Sequence, residues 1–171
     1  MPLIGGTKTS RWTFKKSPKW RGSSAQTISK VMRLMYEPPK GNVFWQRDLS
    51  QAEARHVAYK SDCKFLGEVF ASPIKIHKVV GGRIWKCDPL TIINDTPRYD
   101  VAKRIVHGRN YGLGYKNAAI QANVDYEFMK GAYTVYERET PEIDAWHKWV
   151  ATTVKTTGRL TTPLGRQREC F

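Results

Sequence analysis

Two segments carry the same punctuation, and they constrain the fold more than any other feature of the chain. Thr96-Pro97 opens one, and Gly112 and Gly114 close it; Thr140-Pro141 opens the other, and Gly158 closes it. A threonine oxygen can accept from the free N–H groups of a first helical turn. Proline at the first helical position has no N–H to leave unsatisfied, and glycine tolerates the left-handed backbone in which helices stop. Helices are therefore expected over 97–112 and from Pro141 to Gly158. In the second, Ile143, Trp146, Val150 and Val154 follow the helical period. Residues 125–138 also read as helical. The closing stretch "RLTTPLGRQREC" reads as a strand or hairpin turning at Gly165.

The remaining segments are shorter. Residues 1–22 look loop-like, with Pro18 breaking any helix, and 25–36 fit a short helix or strand. "EPPKGN" (37–42) is a turn, and Val43–Asp48 reads as a short buried strand. A helix from about Ser50 to Tyr59 follows, with Ser50 as N-cap and Glu53 placed for a capping box. Residues 72–85 read as a helix loosened by Gly81-Gly82, and 88–96 as mixed. The class is α+β, mostly helical with few strands.

Charge narrows the function. The chain has 171 residues, enough for one compact domain, and its 40% hydrophobic content is ordinary. Its 29 Lys and Arg against 15 Asp and Glu give a formal net charge of +14, a field that attracts polyanions, nucleic acid first among them. Lys8, Arg11, Lys15, Lys16, Lys19, Arg21, Lys30 and Arg33 all precede the first acid, Glu37, with Trp12, Phe14 and Trp20 interleaved. Cations among flat rings suit a nucleic-acid strand; a flexible basic arm has the same composition. Three cysteines without CxxC spacing speak against a disulfide scaffold or a zinc site. No apolar run approaches the roughly 20 residues of a membrane helix, and the N-terminus lacks a signal-peptide core. A cytoplasmic location is expected.

Two constellations carry chemistry. The first is "DLSQAEAR" (48–55), where Asp48 ends an apolar run and Glu53 and Arg55 follow in the next helix. The second is Lys103, His107 and Tyr111, spaced i, i+4 and i+8. Each step of four drifts only about 40° on an α-helix, so cation, imidazole and phenol form a nearly straight row. The row suits a ligand with phosphate, sugar and base; half-buried packing on an amphipathic helix would give the same spacing.

Taken in order, these blocks resemble the family A DNA polymerases, the bacterial polymerase I type and its phage relatives. "DLSQAEAR" resembles their motif A, and "KRIVHGRNYG" (103–112) resembles motif B on the fingers helix. "PIKIHKVVGGRIW" (73–85) resembles the preceding fingers helix. "SRWTF" and "SSAQTISKVMR" (10–33) resemble the primer-binding segment, and residues 140–169 resemble the segment after the fingers. The implied architecture is a mostly helical fingers subdomain attached to a partial antiparallel-sheet palm. Residues 1–62 would be the primer-binding segment and first part of the palm, 63–139 the fingers, and 140–171 the return into the palm.

The resemblance implies template-directed DNA synthesis, with dNTP and primer-template DNA as partners and Mg²⁺ as cofactor. Asp48 and the Leu49 carbonyl would bind metal, and Asp48 and Lys103 would be the catalytic residues. Glu53 would exclude a 2′-hydroxyl, commonly bonded to Tyr111, and Ser50 and Gln51 would line the pocket floor. His77, Arg98, Lys103, His107 and Tyr111 would bind the nucleotide. Arg11, Gln26, Arg55, Arg166 and Arg168 would bind DNA. The location implied is the cytoplasm of a bacterial or phage-infected cell.

Several positions depart from the family pattern. His107 replaces the usual Phe or Tyr, and Lys75 stands where an acid is common before Ile-His. The motif B arginine usually precedes the lysine by four; Tyr99 occupies that place, and Arg98 lies five before. No histidine is followed by aspartate, so the His-Asp pair of motif C is missing from the sequence. The chain is expected to be incomplete alone and to work with a second polypeptide carrying motif C and the rest of the palm. A non-catalytic nucleic-acid-binding protein is the main rival reading; a metal-dependent nuclease would need more clustered acids.

Overall fold

The computed structural model describes residues 2–3, 13–14, 28–45 and 49–170. The chain divides into two compact units, Met1–Asp48 and Leu49–Phe171.

In the first unit, β1 (Pro2–Leu3) pairs antiparallel with β2 (Thr13–Phe14), Pro2 opposite Phe14. The loop-like reading of 1–22 thus yields to a two-residue ladder at those positions. Helix α1 (Lys30–Arg33) is short, and the Ser29 hydroxyl accepts from the Met32 N–H at 3.3 Å. The buried strand expected from Val43 is corrected. Val43, Phe44 and Trp45 have no regular structure and are 85%, 66% and 79% exposed. A strand is held by ladder hydrogen bonds to a neighbour, and these three have no strand partner among the described residues. Arg11, Gln26 and Asp48 lie outside the described residues.

The second unit is a helical assembly closed by a hairpin. Helix α2 (Ala52–Ser61) begins one residue later than expected, with Gln51 rather than Ser50 at the N-cap. Gln51 has left-handed backbone, φ 56°, and its side chain makes no bond to its own helix. The expected capping box is therefore not formed, although Glu53 stays in the first turn, where a carboxylate suits the helix dipole. Helices α3 (Lys64–Ala71) and α6 (Tyr115–Ala122) were not apparent in the sequence. Their N-caps, Cys63 and Gly114, supply no side-chain bond to mark a start.

Helix α4 (Ile76–Trp85) runs unbroken through Gly81-Gly82, so the expected loosening is absent. A Cβ on Gly82 would stand 2.8 Å from the Cys87 carbonyl oxygen and 3.0 Å from Pro89 Cγ. Glycine here lets the 3₁₀ turn Pro89–Thr91 approach the helix backbone.

Helix α5 (Pro97–Asn110) starts as the sequence indicates. Thr96 Oγ1 accepts from the Tyr99 N–H at 3.4 Å and Pro97 takes the first position. Helix α7 (Tyr126–Glu139) is capped by Asp125, whose carboxylate accepts from the Phe128 N–H at 2.8 Å. Helix α8 (Pro141–Thr157) has Thr140 at its N-cap, but that hydroxyl donates to the Tyr136 carbonyl at 2.8 Å, so the expected side-chain cap is corrected. Gly158, φ 67°, ends α8. Strands β3 (Arg159–Thr161) and β4 (Gln167–Glu169) form the expected hairpin, Leu160 opposite Arg168, with Gly165 in the turn.

The core gathers Leu66, Ile76, Val80, Ile105, Val106, Met129, Tyr133, Tyr136 and Ile143 from five helices. Each large apolar side chain sunk there stabilises the fold by about 1.5–3 kcal/mol. The result fixes α5 against α2, α4, α6 and α7, with its polar row left at the edge.

Candidate functional site

The site is built where the start of α2 and the start of α4 meet the middle of α5. Gln51 makes the first link. Its Oε1 accepts the Ile76 N–H at 3.0 Å, so a side chain from one helix cap satisfies the first turn of another. One residue on, His77 is 5% exposed and its ring stacks on that of His107, centroids 5.7 Å apart and planes 23° apart. On its other side His77 meets Tyr99 edge-on at 5.5 Å. His107 in turn lies 3.8 Å, Nδ1 to Oε2, from Glu53 of α2. A continuous path thus runs from Tyr99 in the core through two imidazoles to a surface carboxylate.

Burial governs the electrostatics. It is the largest influence pulling His77 down to about 4, and the charges of His107, Lys103 and Lys75 act in the same sense. His77 is therefore neutral near neutrality, and neither ring nitrogen has a hydrogen-bond partner among the described residues. Lys103, one turn before His107, is exposed, as is Tyr111 one turn after it. The helical row thus reaches the surface around a half-buried imidazole. Tyr111, His107, Arg104, Gly108, Leu113 and Gln121 line an open cleft of about 480 Å³ between α5 and α6.

A second cluster holds the end of α5. Arg109 Nε lies 2.8 Å from Glu137 Oε1 on α7, and the same guanidinium bonds Asp144 on α8. Tyr136 donates to Asn110 Oδ1 at 2.9 Å, and His147 Nε2 donates to the Asn110 carbonyl at 3.1 Å. This anchoring from two helices fixes the direction of the row. None of it was foreseen; the i, i+4 pattern reports only the exposed face.

The remaining expected residues fall in several places. Ser50 lies beside the site, its carbonyl accepting from Arg55 Nε at 3.3 Å. The Arg55 guanidinium also sits 4.7 Å over the Phe70 ring. Arg98 lies 5.8 Å over the Trp85 ring. Leu49 is exposed just ahead of α2. Arg166 in the hairpin turn and Arg168 on β4 are both exposed.

Magnesium prefers several oxygen ligands, carboxylates foremost. The meeting point of α2, α4 and α5 offers one carboxylate beside imidazoles, and among the described residues no three His, Cys, Asp or Glu side chains form a group able to hold a metal ion. The described residues do not make a magnesium site by themselves.

Known proteins resemble the chain in sequence and in fold. The chain is similar to a DNA polymerase of Mycobacterium phage D29, 25% identical over an alignment of 149 residues that covers 85% of this chain and 24% of the phage protein. It is similar in fold to the POL domain of Pol1 from M. smegmatis, whose structure holds DNA primer-template and dNTP. That match has a TM-score of 0.63 and 24% identity over 71% of this chain and 21% of the other. The chain therefore spans about a quarter of the length of these relatives. The profile described as DNA polymerase family A matches residues 16–170, nearly the whole sequence, and the chain belongs to that family.

Proposed function

We propose that the chain is the palm–fingers part of a template-directed DNA polymerase that adds deoxynucleotides to a primer 3′ end. One observation carries this reading: Glu53 of the motif A block and His107 of the motif B block meet at 3.8 Å, with His77 stacked beneath. Three segments far apart in sequence converge there.

In this reading Lys103 opposes the charge that shifts onto the triphosphate during transfer. Glu53 fills the space a ribose 2′-hydroxyl would take, with His107 packed against the nucleotide and Tyr111 closing the template side. Ser50 and Gln51 form the floor, and His77 faces the triphosphate. Arg11, Gln26, Arg55, Arg166 and Arg168 hold DNA. Asp48 and the Leu49 carbonyl are the proposed donors to Mg²⁺, which would activate the primer hydroxyl and steady the leaving phosphate. The second aspartate would come from a motif C segment outside this sequence. The subdivision into 1–62, 63–139 and 140–171 belongs to the same proposal.

Primer extension tests it. The chain alone should give little synthesis, and adding a polypeptide with motif C and the remaining palm should restore it. Asp48→Ala should then abolish synthesis while leaving DNA affinity intact. Absence of synthesis in every combination, with DNA binding retained, would favour a non-catalytic binding protein.

A further inference from the structure

The resemblance assigns the triphosphate's outer charge to an arginine on α5, yet Arg98 lies over the Trp85 ring at 5.8 Å. Helix α5 begins regularly, with Thr96 capping Tyr99. Five residues therefore separate Arg98 from Lys103 by about 140° around the helix. Arg98 and Lys103 leave α5 in different directions.

A different cation stands at the start of α4. Lys75 occupies the N-cap of α4, two residues before His77. The His77 ring stacks on His107, which follows Lys103 by one turn. Two lysines from two helices thus flank one pair of stacked imidazoles. Both of their charges reach His77, behind burial and His107 in weight. Neither makes a salt bridge among the described residues, whereas Arg109 pairs with two carboxylates and Arg83 lies 3.7 Å from Glu139. The two ammonium charges repel one another, and an arriving polyanion removes that cost. The N-terminal dipole of the ten-residue α4 adds to the same field. His77, buried with both ring nitrogens unpartnered among the described residues, contributes an N–H donor not yet used.

We propose that Lys75, together with Lys103, binds the outer phosphates of a nucleoside triphosphate in place of Arg98. The proposal rests on the nucleotide site described under the proposed function and names a phosphate-binding residue that the family pattern does not supply. A polyphosphate offers a separate phosphate to each ammonium group and a monophosphate does not, so the pair favours polyphosphate.

Equilibrium binding to the full chain at low salt tests it, with inorganic tripolyphosphate, dATP and dAMP as probes. Lys75→Gln should weaken tripolyphosphate and dATP about fivefold, the worth of one exposed charge, and leave dAMP unchanged. Lys75→Asp should weaken them further, and Arg98→Gln should change nothing. Lys75 is exposed, and unchanged thermal unfolding of its variants confirms that folding is preserved. Equal losses from Arg98→Gln, no loss from Lys75→Gln, or no tripolyphosphate binding by the unmodified chain overturns the proposal. Lys75-dependent tripolyphosphate binding without primer extension in any combination sustains the anion site and removes the polymerase reading. Restored extension together with an unchanged Lys75→Gln does the reverse.

Discussion

Gly108 and Tyr133 leave no room between them for one carbon atom: a Cβ at 108 would stand 2.7 Å from the Tyr133 hydroxyl oxygen. That hydroxyl is itself buried and has no hydrogen-bond partner among the described residues. The close approach lets α7 seat against α5 directly behind the row that carries His107.

Gly108→Ala should destabilise the chain by about 1–3 kcal/mol through overpacking. Tyr133→Phe removes an unsatisfied hydroxyl and should be neutral or slightly stabilising. The double variant should recover most of the loss, because the colliding atom is gone. Urea unfolding of the four proteins measures the coupling; additive effects would mean that the helices part rather than clash.

Gln51 links the two ends of the site, and its backbone is left-handed. Gln51→Ala should cost about 1 kcal/mol by leaving the Ile76 N–H without its partner. Gln51→Gly loses the same bond but relieves the backbone, and should be the less damaging change. An alanine variant as stable as the unmodified chain would mean that the bond to Ile76 contributes nothing, and an alanine variant more stable than the glycine one would mean that the left-handed backbone carries no strain.

Much of this fold was legible because its signals are local. Thr96-Pro97 and Thr140-Pro141 mark helix starts, Gly158 a helix end and Gly165 a turn, all within one turn of the residues they control. What was missed depends on distant partners. The motif places Gln51 in the pocket floor, and no local pattern reveals that its side chain also accepts from the first turn of a helix 25 residues away. The capping-box pattern points to Ser50 as the cap and cannot reveal that the next residue turns left-handed. Helices α3 and α6 have no side-chain cap to announce them. Val43-Phe44-Trp45 has strand composition, but composition does not supply a ladder. At the site, spacing alone put Lys103, His107 and Tyr111 on one face; the meeting of His107 with Glu53 needed the packing of α2 on α5.

Arg109 bridges Glu137 and Asp144 while remaining 14% exposed. Arg109→Met should cost about 2 kcal/mol or more, discounted because both carboxylates are partly open to water. Arg109→Lys should recover only part, since an ammonium lacks the fork that reaches two helices. Equal stability of arginine and methionine forms would assign the hold on α5 to apolar packing and the Asn110 bonds.

His77 gives the chain a pH dependence whose sign follows from its environment. Folding holds it at about 4, chiefly by burial, against an ordinary 6.5. The groups facing it are His107 and Lys103 on α5 and Lys75 at the start of α4, all cationic when charged, with Tyr99 edge-on. Above about pH 6.5 the imidazole is neutral in folded and unfolded chains alike and takes nothing from stability. As pH falls below 6.5 the unfolded chain binds the proton first, so stability declines, and the decline levels off below about 4 once both states are protonated. A shift of this size is worth about 3 kcal/mol across the window. The other ionisable groups are common to both proteins, so the measurement is a difference. Urea unfolding from pH 4 to pH 7 should show a steep loss in the unmodified chain and a shallower one in His77→Gln, with the curves converging toward neutrality apart from a constant offset. Parallel curves would place His77 in water rather than beneath His107, and with it would go the stacked path from the core to Glu53.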